Sequence, residues 1–200
     1  MDEKVENSVY KAPEAELETA ENKTEFFIVS TKKLWIMSLV TMGVYGVYWN
    51  YKHWRNYKYY DDVVAPIWPV PRAIFSVFFV SSLFGLIAES YKNQSDKDWN
   101  SSKSAGIYIL MVVFNIVFAV LGSGETRQDL IFQWLQIILI PLGLTYAMAS
   151  AQAKANIACL EPNGESNSKI GIANILWIVF FILYWLLILL GSYMIFYGIE

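Results

Sequence analysis

The sequence predicts an all-α fold, a polytopic membrane bundle of about five transmembrane helices. Three observations predict it. Of the 200 residues, 56% are hydrophobic and only 16% are charged, against roughly a quarter charged in a soluble chain. The mean hydropathy is +0.35. The charge is also segregated: residues 1–25 hold eight acids and three lysines, a net of −5, so the remaining 175 residues carry +2. An acidic tail joined to an apolar, faintly basic body excludes a soluble globular enzyme, a disulfide-stapled secreted domain and a disordered chain.

Residues 1–30 are expected as an acidic, disordered cytoplasmic tail, and residues 31–200 as the bundle. A spanning helix needs about 20 mostly apolar residues, so the stretches between consecutive charges locate the helices. The first is expected at about 34–51, between Lys33 and Lys52. The second, about 71–89, lies between Arg72 and Glu89 and is short unless the arginine snorkels to the interface. The third covers about 104–123. The fourth, 130–153, contains Pro141 as an expected kink and continues outside the membrane to about 160, where Pro162-Asn163-Gly164 signals a turn. The fifth covers 170–196. Apolar residues occupy every face of these segments, which is the membrane pattern and not the amphipathic one.

Orientation rests on the excess of Lys and Arg in cytoplasmic loops. Five spans with a cytoplasmic N-terminus give ten cations inside against five outside. Four spans with a re-entrant first segment give the same tally, and place the C-terminus on the other side. Gly43 and Gly46 would ease a break in that segment; exposed non-helical backbone in lipid opposes one. Five spans are therefore the expectation. The first apolar run begins only at Leu34, behind an acidic tail, so insertion by uncleaved helices is expected rather than a secretory signal.

Chemistry is sparse. One cysteine, Cys159, and one histidine, His53, allow neither an internal disulfide nor a zinc site, and no cofactor is expected. No ionisable residue falls inside an expected span, where pumps and membrane enzymes keep them. His53 has Asp61 and Asp62 eight and nine residues on, off its helical turn, with no nucleophile beside it. The intramembrane polar candidates are Asn115, Gln133, Gln136 and Asn174, read as interhelical hydrogen bonding or, alternatively, as a solute lining. Small residues that permit close helix approach are Gly43, Gly46, Ala147, Ala151 and Ala155. Gln152 and Asn156, one turn apart, are expected to touch headgroups or the following loop.

The richest local signal is Thr41 to Tyr60, where aromatics interleave with cations. Its lipid- or partner-binding candidates are Tyr45, Tyr48, Trp49, Lys52, Trp54, Arg55, Tyr57 and Lys58. In a soluble protein such a mixture suggests single-stranded nucleic acid. Directly after a membrane helix it suits the headgroup region, where indoles and phenols sit at the boundary and cations meet phosphate. The expected partners are thus anionic membrane lipid and a membrane protein or second copy of the chain, with no nucleic acid.

These same residues carry a resemblance. Lys33-Leu34, then Thr41-x-Gly43-x-Tyr45-x-x-Tyr48-Trp49 and a trailing basic-aromatic run with Trp54, resemble the N-terminal module of small bacterial integral-membrane proteins of unknown function. Phe27 to Ser30, Asn174, Trp177, Trp185 and Gly191 are similar to the pattern in longer members. The resemblance implies a bacterial inner membrane and several helices, with no agreed activity. The functional expectation is a non-enzymatic accessory, regulatory or lipid-interacting envelope protein. A small channel or carrier for a weakly polar solute is the alternative, and a lipid-acting enzyme the least supported.

Overall fold

The computed structural model describes residues 24–60, 67–121 and 127–197, and no strand occurs among them. The helices are α1 (Thr31–Val40), α2 (Tyr45–Tyr60), α3 (Pro69–Ile74), α4 (Ser76–Ser95), α5 (Ser101–Leu121), α6 (Arg127–Ala158) and α7 (Ile172–Tyr197), with a 3-10 turn at Glu165–Asn167. Among the described residues three stretches are long and apolar enough to cross a membrane: Ser101–Ala119, Asp129–Ala158 and Ile172–Tyr197. They correspond to the expected third, fourth and fifth segments, and α6 runs through Pro141 without interruption.

The helix expected over 34–51 is instead two helices. Ser30 caps α1, its Oγ accepting from Lys33 N at 3.3 Å. The helix stops at Thr41 because Met42 (φ 52) and Gly43 (φ 85) adopt the left-handed region, which glycine enters freely and other residues rarely do. α1 descends along α6 and α2 climbs back beside the same stretch. Ser38 accepts from Thr145 Oγ1 at 2.6 Å, Gly43 lies against Leu144 and Gly46 against Met148, and Trp49 reaches Gln152. Leu144 lies ten residues before Lys154, so the tip of the hairpin reaches about 15 Å along α6 from the level of Lys154, at 1.5 Å per residue.

The turn leaves few backbone groups bare, which removes the objection to a break in lipid. Thr41 Oγ1 donates to Met37 O at 2.7 Å and accepts from Tyr45 N at 2.9 Å. Gly43 N donates to Ser38 O at 2.7 Å. Val40 O accepts from Trp185 Nε1 of α7 at 3.0 Å, and Trp185 stacks on Trp134 of α6 with ring centroids 6.1 Å apart.

The stretch expected as a second span, 71–89, is also divided, at Phe75, between α3 and α4. The end of α4 is polar from Glu89 to Ser95. Its two ends sit toward one end of the bundle. Ser76 Oγ is 2.9 Å from Tyr108 OH, Ser90 donates to Glu25 Oε1 at 2.6 Å, and the Lys154 ammonium lies 5.0 Å from the Tyr91 ring centroid. Tyr108 is only five residues past Lys103, about 8 Å along α5, whereas Ser76 to Tyr91 runs about 22 Å along α4. α4 therefore lies steeply tilted.

α5 and α6 are antiparallel, matched at Ser104 with Ser150 and Asn115 with Gln136. The core gathers in the half of the bundle that holds the hairpin and α4. Trp49, Trp54, Phe26, Phe84 and Met148 are fully buried there. The other halves of α5 and α6, and most of α7, present bare apolar side chains. The boundary expected at residue 30 shifts toward the N-terminus: Phe26, Phe27, Ile28 and Val29 are buried as an extended segment against α2 and α6. The acidic-tail expectation otherwise falls on residues 1–23, outside the described residues.

Candidate functional site at the cationic end

Helix direction sorts the cations. Lys32 and Lys33 open α1, Lys52, Arg55 and Lys58 lie on α2, and Arg72 lies on α3. Lys92, Lys97 and Lys103 surround the α4–α5 connection, Lys154 lies near the end of α6, and Lys169 precedes α7. All eleven lie toward one end of the bundle. Arg127, at the start of α6, stands at the other.

Under this cationic end is a buried polar hub that sequence reasoning missed. Gln152 Oε1 accepts from Trp49 Nε1 at 2.6 Å and meets His53 Nε2 at 3.1 Å. Its Nε2 donates to Phe27 O at 2.8 Å and to Asn156 Oδ1 at 2.7 Å. Asn156 Nδ2 then donates to Val29 O at 3.0 Å. Gln152, Asn156 and His53 are fully buried. Far from meeting headgroups, the two α6 amides hold the extended N-terminal segment by its carbonyls, which no other strand is present to pair. The legible signal was spacing: Gln152 and Asn156 each follow an alanine of the Ala147, Ala151, Ala155 ridge, and that ridge is itself fully buried.

His53 is held neutral; burial pushes its pKa down to about 3, with the Gln152 hydrogen bond opposing weakly. The side-chain atoms His53 Nδ1, Asn50 Oδ1 and Trp54 Nε1 make no hydrogen bond among the described residues. Cys159 is raised to about 11, chiefly by burial, so its thiol is a poor nucleophile. Among the described residues no group of three or more His, Cys, Asp or Glu side chains is placed to hold a metal ion.

α2 divides the aromatic-basic candidates between its faces. Tyr45, Trp49 and Trp54 are core residues, Trp54 carrying the Arg72 guanidinium 4.4 Å above its ring. Tyr48, Arg55 and Lys58 are exposed, and Lys52 and Tyr57 are half-buried. Lys52 Nζ lies 5.4 Å from the Phe27 ring centroid and 6.0 Å from that of Tyr48. Burial, then the Arg55 charge, lowers its pKa.

The intramembrane polar candidates separate likewise. Gln136 Nε2 donates to Asn115 Oδ1 at 3.1 Å, on the outer side of the α5–α6 pair, and Gln133 is half-buried on the same helix. Asn174 lies at the other end. With its amide oxygen turned toward them, it accepts from Gly171 N at 3.1 Å and Lys33 Nζ at 3.2 Å. Beside it a groove of about 180 Å³ separates the hairpin from α7, lined by Met37, Val44 and Tyr48 on one wall and Asn174, Trp177 and Phe181 on the other.

Fold and site together define an all-helical protein with three helices able to cross a membrane and a cation-rich end built on a helical hairpin. No family model, curated protein or solved structure matches the chain.

Proposed function

We propose that the chain is a non-enzymatic, multi-pass protein of the bacterial inner membrane that crosses it three times, N-terminus in the cytoplasm, and engages anionic lipid headgroups through the exposed face of α2. The observation that carries this reading is the distribution of the described cations, eleven at one end against Arg127 at the other. Under the positive-inside rule this is a sharper asymmetry than either topology read from sequence. Here α1–α2 and α3–α4 enter from the cytoplasmic face without crossing, and α5, α6 and α7 cross. The exposed Tyr48, Tyr59 and Tyr60 beside Arg55 and Lys58 then lie where phenols and cations suit headgroups. The bacterial assignment is supported by the resemblance around Thr41 to Trp49.

The accessory or regulatory role we propose is supported by the exposed cationic face of α2, whose buried side is hydrogen-bonded to Gln152. A solute path draws no support from Asn115 and Gln136, whose amides bond to each other outside the α5–α6 pair.

Single cysteines placed at Lys58, Lys97 and Arg127 in a Cys159→Ser background test the topology with a membrane-impermeant maleimide. Positions 58 and 97 should label only in inverted vesicles, and position 127 only in spheroplasts. Labelling of position 58 from outside restores the five-span arrangement. Native mass spectrometry of the purified chain with phosphatidylglycerol and phosphatidylcholine tests the lipid reading; equal retention of the two removes it.

A further inference from the structure

The groove between the hairpin and α7 has two chemically different parts. Its walls are apolar, from Trp177 down to Phe181 on α7 and Met37 and Val44 on the hairpin. Asn174 to Phe181 spans seven residues, so the slot runs about 10 Å into the bilayer at 1.5 Å per residue. Its rim is cationic. Lys33, 6% exposed, donates from Nζ to Asn167 Oδ1 and Lys169 O, both at 2.7 Å, and reaches the Asn174 oxygen. Those acceptors are neutral. Lys52 approaches from the other wall, over the Tyr48 ring. Among the described residues neither ammonium is in an ion pair with a carboxylate.

A buried ammonium with only neutral partners favours a nearby anion, because its charge has lost water without gaining an opposite charge. An apolar slot opening on the bilayer stays dry and takes hydrocarbon. A soluble anion satisfies the rim and leaves the slot unfilled; a neutral lipid fills the slot and leaves the rim uncompensated. One amphiphile satisfies both.

We propose that this groove holds one anionic phospholipid, its phosphate between Lys33 and Lys52 at the rim and one acyl chain lying between the hairpin and Trp177 and Phe181. The inference rests on the lipid-binding reading above and narrows it from a surface to a single site. The three N–H groups of Lys33 are taken by Asn167, Lys169 and Asn174, so Asn174 is a positioning residue that fixes the ammonium at the rim, and Lys33 attracts the phosphate by its charge.

Native mass spectrometry of the full chain, loaded separately with phosphatidylglycerol and phosphatidylcholine, tests it. The unmodified protein should retain one phosphatidylglycerol per chain. Ala173→Trp, which fills the slot from α7, and Val44→Phe, which fills it from the hairpin, should each abolish that retention while the melting temperature is maintained. Lys52→Gln should lower the preference for phosphatidylglycerol about fivefold, the weight of one basic residue at an anionic surface, and leave phosphatidylcholine unchanged. If either filling variant melts like the native chain and still holds one phosphatidylglycerol, the groove is not the site. Sensitivity to Lys52→Gln would then preserve the broader lipid reading. If the native chain shows no preference for phosphatidylglycerol, both readings fall.

Discussion

Gln152→Leu tests the hub most directly. Leucine fills nearly the same volume and removes all four polar contacts: Trp49 Nε1 at 2.6 Å, His53 Nε2 at 3.1 Å, Phe27 O at 2.8 Å and Asn156 Oδ1 at 2.7 Å. Two donors and two acceptors are left facing a methyl group with no water to replace the amide. At the low end of the desolvation penalty, about 1 kcal/mol for each stranded group, the loss is about 4 kcal/mol. If the hub instead behaves like an average polar contact between membrane helices, about 0.6 kcal/mol each, the loss is about 2 kcal/mol. Equilibrium unfolding of the purified chain in mild detergent, followed by tryptophan fluorescence, separates the two. Hydrogen exchange supplies a local readout, since amides of residues 26–30 should lose protection before those of α5. A destabilisation below about 1 kcal/mol, or unchanged exchange in residues 26–30, refutes the idea that Gln152 anchors the N-terminal segment.

Three further outcomes follow from the geometry. Gly164→Ala should cost about 2 kcal/mol, because its Cβ would fall 2.6 Å from the Val29 backbone at a φ of +61; the melting temperature and exchange at Val29 to Thr31 measure it. Leu160→Gly should stabilise the chain by up to about 1 kcal/mol, since this exposed leucine holds φ 63 just past the end of α6, and the same unfolding curves record the gain. Acid should weaken the fold through His53: its folded pKa of about 3 lies below the unfolded 6.5, so its neutral form contributes fully above pH 6.5 and the contribution is lost as pH falls toward 3. The full loss, reached below pH 3, is on the order of 5 kcal/mol, of which about 3 kcal/mol falls between pH 7 and pH 4; unfolding midpoints measured over that window should flatten in His53→Leu.

The three long apolar helices were legible because a charge-free stretch of spanning length is a direct physical requirement of lipid. Hydropathy averages over turns, however, so the reversal at Met42 and Gly43, present only in the re-entrant alternative that Gly43 and Gly46 suggested, ranked below an unbroken apolar helix. Composition also says nothing about faces. Trp49 and Trp54 read as interfacial aromatics, yet Tyr45, Trp49 and His53, with Gly46, Asn50 and Trp54, recur at four-residue spacing and form the buried face of α2. The Gln152 and Asn156 amides were misplaced for the opposite reason. Polar residues near a membrane boundary are normally expected in water, and their burial depends on carbonyls more than 120 residues away.

That distance bears on the order in which the chain can be assembled. Gln152 bonds to Phe27 across a sequence separation of 125 residues, and Thr145 to Ser38 across 107. The hairpin is synthesised early, yet the surface that holds it is the far half of α6. Until that half leaves the ribosome, α1 and α2 have neither their hydrogen-bond partners nor the alanine ridge to lie on, and contacts of such separation form late. The hairpin therefore completes its docking only after α5 and α6 are in place, and a chain ending before Gln152 would present the Trp49 and Trp54 face unsupported to whatever lipid or chaperone meets it first.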